Sequence, residues 1–239
     1  MALITVLVGL HLIGQFSTHV LGRGSLRGFV GLFRLQSEHN IPAYFSGVLL
    51  LSAGVLLLRI GLCFVRASER GVLPWLGLGA IFCYMAVDEV FSLHERFGAA
   101  MYGHYRAMGA SFDGLNYKWV VTGAVMVAAV VVLFFRFWLR LPGQTRLWCA
   151  IAAVVFVTGA IGFETLSGQY ALHYNEGFGY AVIVAFEEGL EMAGVGIFIL
   201  TLMRYQDEHL GLHIGPQTPD DAKPPDDSAA PLHSAVRKA

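Results

Sequence analysis

Charge is scarce in this sequence. Only 14% of its 239 residues are Asp, Glu, Lys or Arg, and the formal net charge is -1. Soluble domains carry roughly 25% charged residues, so the composition is typical of a membrane protein. No basic stretch with interleaved aromatic residues is present, which argues against nucleic acid as a partner and makes the lipid bilayer the expected one.

Cysteine is also scarce. The three cysteines, Cys63, Cys83 and Cys149, lie far apart in apolar stretches and show no C-x-x-C spacing. Neither a zinc ribbon nor a disulfide framework is therefore indicated. The apolar stretch 2–21 has no positively charged region before it, so we expect it to be retained as a helix and not cleaved as a signal peptide.

Long apolar stretches are abundant. A helix needs roughly 20 mostly apolar residues to cross the hydrocarbon core of a bilayer. The sequence therefore predicts an all-α fold, a six-helix transmembrane bundle within residues 1–204. Tryptophan favours the membrane interface, and all four tryptophans lie at the ends of these stretches. The six predicted spans are 3–21, 44–65, 75–96, 119–140, 147–166 and 180–203.

Two further regions have their own character. In the connection at about 25–40, apolar residues alternate with the charged residues Arg27, Arg34 and Glu38, which predicts an amphipathic segment lying in the membrane interface, with a plain polar linker as the alternative. Residues 205–239 are rich in Pro and Asp, which predicts a disordered hydrophilic tail. Lys and Arg are nearly balanced between the two sides. Their absence after the fifth span, together with the hydrophilic tail, favours cytoplasmic termini.

Carboxylates occur where lipid should discourage them. Residues 88–95 read Asp-Glu-Val-Phe-Ser-Leu-His-Glu within the third span, and residues 187–191 read Glu-Glu-Gly-Leu-Glu within the sixth. Ionisable side chains at membrane depth are rare and usually face a bundle interior, a metal or a water-filled path. The function of the chain is therefore expected at these residues.

The alternation of spans places these groups on one side of the bilayer. At about 100° per residue, Asp88, Ser92 and Glu95 share one face of the third span, with Glu89 and His94 on its flanks. The glutamates of the sixth span form a stripe at i, i+3 or i, i+4. Like charges this close cannot all stay ionised, so protons or cations must neutralise them. The candidate polar site comprises Asp88, Glu89, Ser92, His94, Glu95, Glu164, Glu187, Glu188, Glu191 and Glu38.

Three interpretations of this site remain open. A carboxylate site with imidazole suits a divalent iron, manganese or zinc ion in a membrane enzyme, although the Glu-x-x-His spacing of helical di-metal sites is absent. The acids could instead form a proton or cation pathway, or they could pair with basic side chains and only stabilise the bundle. Few ionisable groups lie on the other side, which favours a site open to one side. The candidate metal ligands are Asp88, His94, Glu95, Glu188 and Glu191.

Three motifs carry a resemblance to a known family. They read Asn-Ile-Pro-x-x-Phe-Ser at 40–46, Asp-Glu-x-x-Ser-Leu-His-Glu at 88–95 and Glu-Glu-x-x-Glu at 187–191. In this order, over about residues 1–203, they resemble a family of uncharacterised bacterial multi-pass membrane proteins. The resemblance implies a location in the bacterial inner membrane and the co-occurrence of Glu38 with the two acidic motifs. It implies no particular reaction.

Overall fold

The described part of the chain is mostly helical. A computed structural model describes residues 1–24, 26–37, 39–66, 71–93 and 120–211, and these ranges contain no strand. The expected all-α class is therefore confirmed. The helices are α1 (Ala2–His19), α2 (Phe29–Phe33), α3 (Ile41–Arg66), α4 (Val72–Phe91), α5 (Val120–Arg140), α6 (Gly143–Val157), α7 (Glu164–His173) and α8 (Phe178–Leu210).

Five described helices are long and apolar enough to cross a membrane. They indicate a multi-pass membrane protein embedded in a lipid bilayer. α8 is not one of them, because three glutamates interrupt its apolar stretch, and the predicted count of six spans is not confirmed. The five helices are Ala2–His19, Ile41–Arg66, Val72–Phe91, Gly123–Arg140 and Gly143–His173.

Glycines bring α3 and α4 into close contact. Gly47, Gly54 and Gly61 recur on α3 at intervals of seven residues, so they lie along one stripe of the helix. A Cβ atom at Gly54 would lie 2.8 Å from Cys83 Sγ and 3.1 Å from the Cys83 backbone nitrogen. Only glycine allows this approach, which is typical of helices packed within membranes.

α8 lies at the centre of the fold and contacts α1, α3, α6 and α7. It is antiparallel to α6, since Gly194 lies against Phe156 whereas Glu187, earlier on α8, lies against Gly159, which follows α6. Near its start, Phe178 meets Phe16 of α1 at 5.6 Å between ring centroids. Near its end, Tyr205 packs against Trp75 of α4 with 5.0 Å between ring centroids. The neighbours of α8 thus shield much of its length from lipid.

The helix boundaries differ most from the predicted spans at three places. α4 ends at Phe91 and not at 96, and the helix that begins at Gly143 runs to His173, beyond the predicted 166. The tail was predicted to begin at 205, but α8 continues to Leu210. This part of the prediction is wrong because Tyr205 and Gln206 are buried, and the Gln206 amide donates to the Leu56 carbonyl at 3.3 Å. Residues 212–239 lie outside the described part.

A buried histidine joins three elements at the end of the bundle where α8 begins. His11 of α1 is only 1% exposed. Its Nδ1 accepts a hydrogen bond from the Leu35 amide at 3.1 Å, so its proton is on Nε2, which donates to the Ala181 carbonyl of α8 at 3.1 Å. The His11 ring thereby holds the connection between α2 and α3 against α1 and α8.

We expect His11→Ala to destabilise the protein by about 2–4 kcal/mol. The substitution leaves the buried Leu35 amide without an acceptor and opens a cavity. Thermal melting of the purified protein measures the loss, and hydrogen exchange at the Leu35 amide should accelerate. His19→Ala, on an exposed ring of the same helix, is the control and should melt like the wild type. Equal melting of the two variants would contradict a fixing role for His11.

Candidate functional site

The site is built on an irregular turn within the helix that runs from Gly143 to His173. Residues Thr158–Phe163 are π-helical and join α6 to α7. Such π segments occur frequently at functional sites. Here the segment presses against α8, because a Cβ atom at Gly159 would lie 2.7 Å from the Glu187 carbonyl oxygen and 3.1 Å from the Glu191 nitrogen.

Five glutamates come together at this contact. Glu188 and Glu191 of α8 interact electrostatically with each other and with acids from three places in the fold. These acids are Glu89 on α4, Glu164 at the start of α7 and Glu187 on α8 itself. Glu89 is also near α3, where its Cγ would lie 4.0 Å from a Cβ atom at Gly47. We call Glu89, Glu164, Glu187, Glu188 and Glu191 the glutamate cluster.

The cluster is largely removed from solvent. Glu164 is only 6% exposed, and the other four side chains are partly buried. Within the described residues, every charged group that interacts with Glu188 or Glu191 is another glutamate. Negative charge is therefore concentrated here, and burying it is costly unless a proton or a cation compensates for it.

Ser167 of α7 connects two members of the cluster. Its hydroxyl, 1% exposed, donates to Glu187 Oε2 at 2.9 Å and also lies 3.0 Å from the Glu164 backbone oxygen. A hydroxyl carries one proton, so the two acceptors compete for it. A proton on the Glu187 carboxyl group would satisfy both contacts at once, because the carboxyl group could then donate to the serine oxygen.

The cluster lies near one end of the bundle. Gly47 belongs to the second turn of α3 and Glu89 to the last turn of α4, so the cluster is close to where α3 begins and α4 ends. The opposite end is filled by an aromatic core in which Trp75 contacts Phe64, Phe137 and Tyr205. From Glu191 to Tyr205 the axis of α8 rises by about 21 Å.

The predicted stripe of Asp88, Ser92 and Glu95 requires α4 to continue past Ser92, and Glu95 lies outside the described residues. Ser92 adopts the left-handed conformation, with φ 52° and ψ 45°, and ends α4. A continuous α-helix is required to place residues at i, i+4 and i+7 on one face, and a left-handed residue breaks that register. Ser92 itself is buried at 4% exposure, and its amide donates to the Asp88 carbonyl at 2.6 Å.

Glu89 replaces Asp88 as the α4 carboxylate that interacts with α8. Asp88 is not among the acids that interact with Glu188 and Glu191, although the sequence analysis put Asp88 on the central face and Glu89 on its flank. Neighbouring residues on a helix differ by about 100° in direction, so both cannot face α8. Glu38, His94 and Glu95 lie outside the described residues.

Metal binding stays a prediction. Within the described residues, no three His, Cys, Asp or Glu side chains are placed to hold a metal ion. Of the five predicted ligands, Glu188 and Glu191 are neighbours in the cluster, Asp88 is not part of it, and two lie outside the described part.

Sequence reasoning missed Ser167 and Gly159. Ser167 comes one helical turn after Glu164, and a short polar residue at that spacing from a membrane-depth acid is a usable signal. Gly159 precedes Glu164 by five residues in a run that also contains Ala160 and Gly162. Small residues indicate close helix contact, but no pattern in the sequence indicated a π segment.

The fold and the cluster define a class of protein: a multi-pass helical membrane protein with glutamates gathered near one end of its bundle. The sequence model of a family described as a domain of unknown function (DUF8692) matches residues 1–205. The chain belongs to this family. No curated protein and no solved structure matches the chain.

Proposed function

We propose that this protein binds cations, and protons first, at the glutamate cluster. The observation that carries the proposal is the set of charged neighbours of Glu188 and Glu191, which within the described residues are all glutamates. Carboxylates crowded in an apolar bundle need positive charge from elsewhere. Competition for the single proton of Ser167 supports a proton on Glu187 as part of that charge.

The site serves one side of the membrane in this proposal. The cluster is near one end of the bundle, and aromatic side chains around Trp75 fill the other. This arrangement favours uptake and release of cations on one side over transport across the bilayer. We propose that α8 is a sixth crossing, because its contacts with α1, α3 and α6 shield it from lipid. Cytoplasmic termini and the bacterial inner membrane stay predictions from the sequence.

A divalent metal is the second candidate cation. Glu89 belongs to the cluster and lies two residues before α4 ends at Phe91. The sequence continues after Leu93 with His94 and Glu95. Imidazole and carboxylate added to glutamates would make a donor set for iron, manganese or zinc. A metal bound there would support the interpretation as a metal-dependent membrane enzyme.

Infrared spectroscopy of the purified protein tests the proposal. At neutral pH and without metal, we expect a protonated-carboxyl band that shifts in D₂O and weakens in Glu187→Gln. Elemental analysis and titration with Mn²⁺ or Zn²⁺ distinguish bound protons from a bound metal, since a bound metal should remove the carboxyl band. Glu176→Gln, at an exposed glutamate, is the control and should keep the band. If neither the band nor bound metal were found, basic side chains would neutralise the cluster and the proposal would fail.

A further inference from the structure

The chain between α1 and α3 folds back along α1. Val30 and Phe29 of α2 lie against Gly14, where a Cβ atom would be 3.7 Å from Val30 Cα. Further on, the Leu35 amide is bound by His11. This region therefore lies beside the last turns of α1, at the end of the bundle where α8 begins.

The outward surface of this region is both basic and apolar. Leu26 and Leu32 are 40% and 52% exposed, and the Arg23 and Arg27 side chains are exposed beside them. Apolar and basic side chains combined on one surface suit the boundary between acyl chains and headgroups. We call these four residues the arginine surface.

The charge of the arginine surface is uncompensated within the described residues. The first 37 residues contain three arginines and no Asp or Glu. Arg34 pairs with Glu176 at 3.8 Å, whereas neither Arg23 nor Arg27 has an acidic partner in the described part of the chain. A basic surface without acidic partners attracts anions, and anionic phospholipids supply them at a membrane surface.

The backbone holds Arg27 in a conformation that side chains rarely adopt. Leu26 and Arg27 have φ of 43° and 57°, and Gly28 follows with φ of 93°. Left-handed residues with a Cβ atom are disfavoured, so the turn depends on the contacts that fix α2 against α1. The backbone at Arg27 is consequently held by contacts elsewhere in the fold.

We propose that the arginine surface binds the headgroups of anionic phospholipids, with Arg23 and Arg27 at the phosphates and Leu26 and Leu32 among the acyl chains. The proposal goes beyond cation binding at the glutamate cluster and does not depend on it. It requires only that the chain is embedded in a bilayer. Long-range attraction to the membrane surface should make the binding sensitive to salt.

Native mass spectrometry of the full-length protein in detergent tests this proposal. The probes are phosphatidylglycerol, which is anionic, and phosphatidylcholine, which is not. Each basic residue near an anionic surface contributes about a 5-fold change in affinity, so we expect Arg23→Gln/Arg27→Gln to weaken phosphatidylglycerol binding about 25-fold at low salt. Phosphatidylcholine binding should not change. The Arg23→Lys/Arg27→Lys variant keeps the charge and should retain most of the affinity.

Arg136→Gln is the matched control, since Arg136 is an exposed arginine on α5, away from this surface. It should bind phosphatidylglycerol like the wild type. The proposal is overturned if the double glutamine variant keeps wild-type affinity, or if Arg136→Gln loses as much. It is also overturned if inorganic phosphate displaces the lipid at equal concentration, which would indicate a site for small anions and not for a lipid surface.

Discussion

Replacing Gly159 with alanine will destabilise the protein by about 2–3 kcal/mol or prevent its folding. The new Cβ atom would lie 2.7 Å from the Glu187 carbonyl oxygen and 3.1 Å from the Glu191 nitrogen. Both are backbone atoms of α8, so no flexible side chain can move aside. α8 itself must shift, and thermal melting should show the loss.

Gly162→Ala is the matched control in the same π segment. Gly162 is exposed, and its Cβ atom would meet only Thr158 Cγ2, at 3.9 Å. Because alanine is favoured over glycine in helices by roughly 0.5–1 kcal/mol, this variant should be unchanged or slightly more stable. The two substitutions are chemically identical, but Gly159→Ala should lower the free energy of unfolding whereas Gly162→Ala should leave it unchanged or raise it slightly. Equal melting temperatures would mean that the π segment does not press on α8.

Replacing Glu188 and Glu191 together with glutamine should stabilise the metal-free protein. Glutamine keeps the size of each side chain but removes negative charge from among the other glutamates. We expect a gain of about 1–3 kcal/mol, because buried like charges are costly. For a chain of this size each kcal/mol corresponds to about 2–4 °C in melting temperature. Cation binding at the cluster should be lost in the same variant.

Glu176→Gln is the control for this charge change. Its side chain is 63% exposed and forms a surface ion pair with Arg34, so its removal should change stability by about 0.5 kcal/mol or less. A double variant that is less stable than the wild type would mean that Glu188 and Glu191 form favourable ion pairs. The glutamates would then stabilise the bundle, and the proposed cation site would be rejected.

The length of the apolar stretches was enough to predict the fold class. It correctly predicted an all-α membrane protein, because backbone groups in lipid must be hydrogen-bonded within the protein and a helix achieves this within one segment. The tail was harder to place. Composition made Tyr205 and Gln206 look like its beginning, whereas ring packing against Trp75 and a hydrogen bond to the Leu56 carbonyl keep them in α8. Such tertiary contacts leave no local pattern.

The acids of the site were predictable as a group, but their partners were not. Charge at membrane depth singled out Glu187, Glu188 and Glu191. The choice between Asp88 and Glu89 depended on a helix rotation of about 100°, which the packing of α3 against α4 determines. Ser92 could not be recognised as a left-handed residue, because nothing in its neighbours requires that conformation.

The helix from Gly143 to His173, counted with its π-helical segment, has a consequence for the placement of the protein in a bilayer. Its 31 residues measure about 46 Å along the axis, against a hydrocarbon thickness of about 30 Å. Even with moderate tilt, the helix cannot be matched to the lipid along its whole length. If Trp148 marks one membrane interface, as is usual for tryptophan, the surplus lies at the other end of the helix and carries the bend at 174–177 beyond the acyl chains. An epitope inserted at Asn175 would therefore report which side of the membrane faces the glutamate cluster, without disturbing any buried contact.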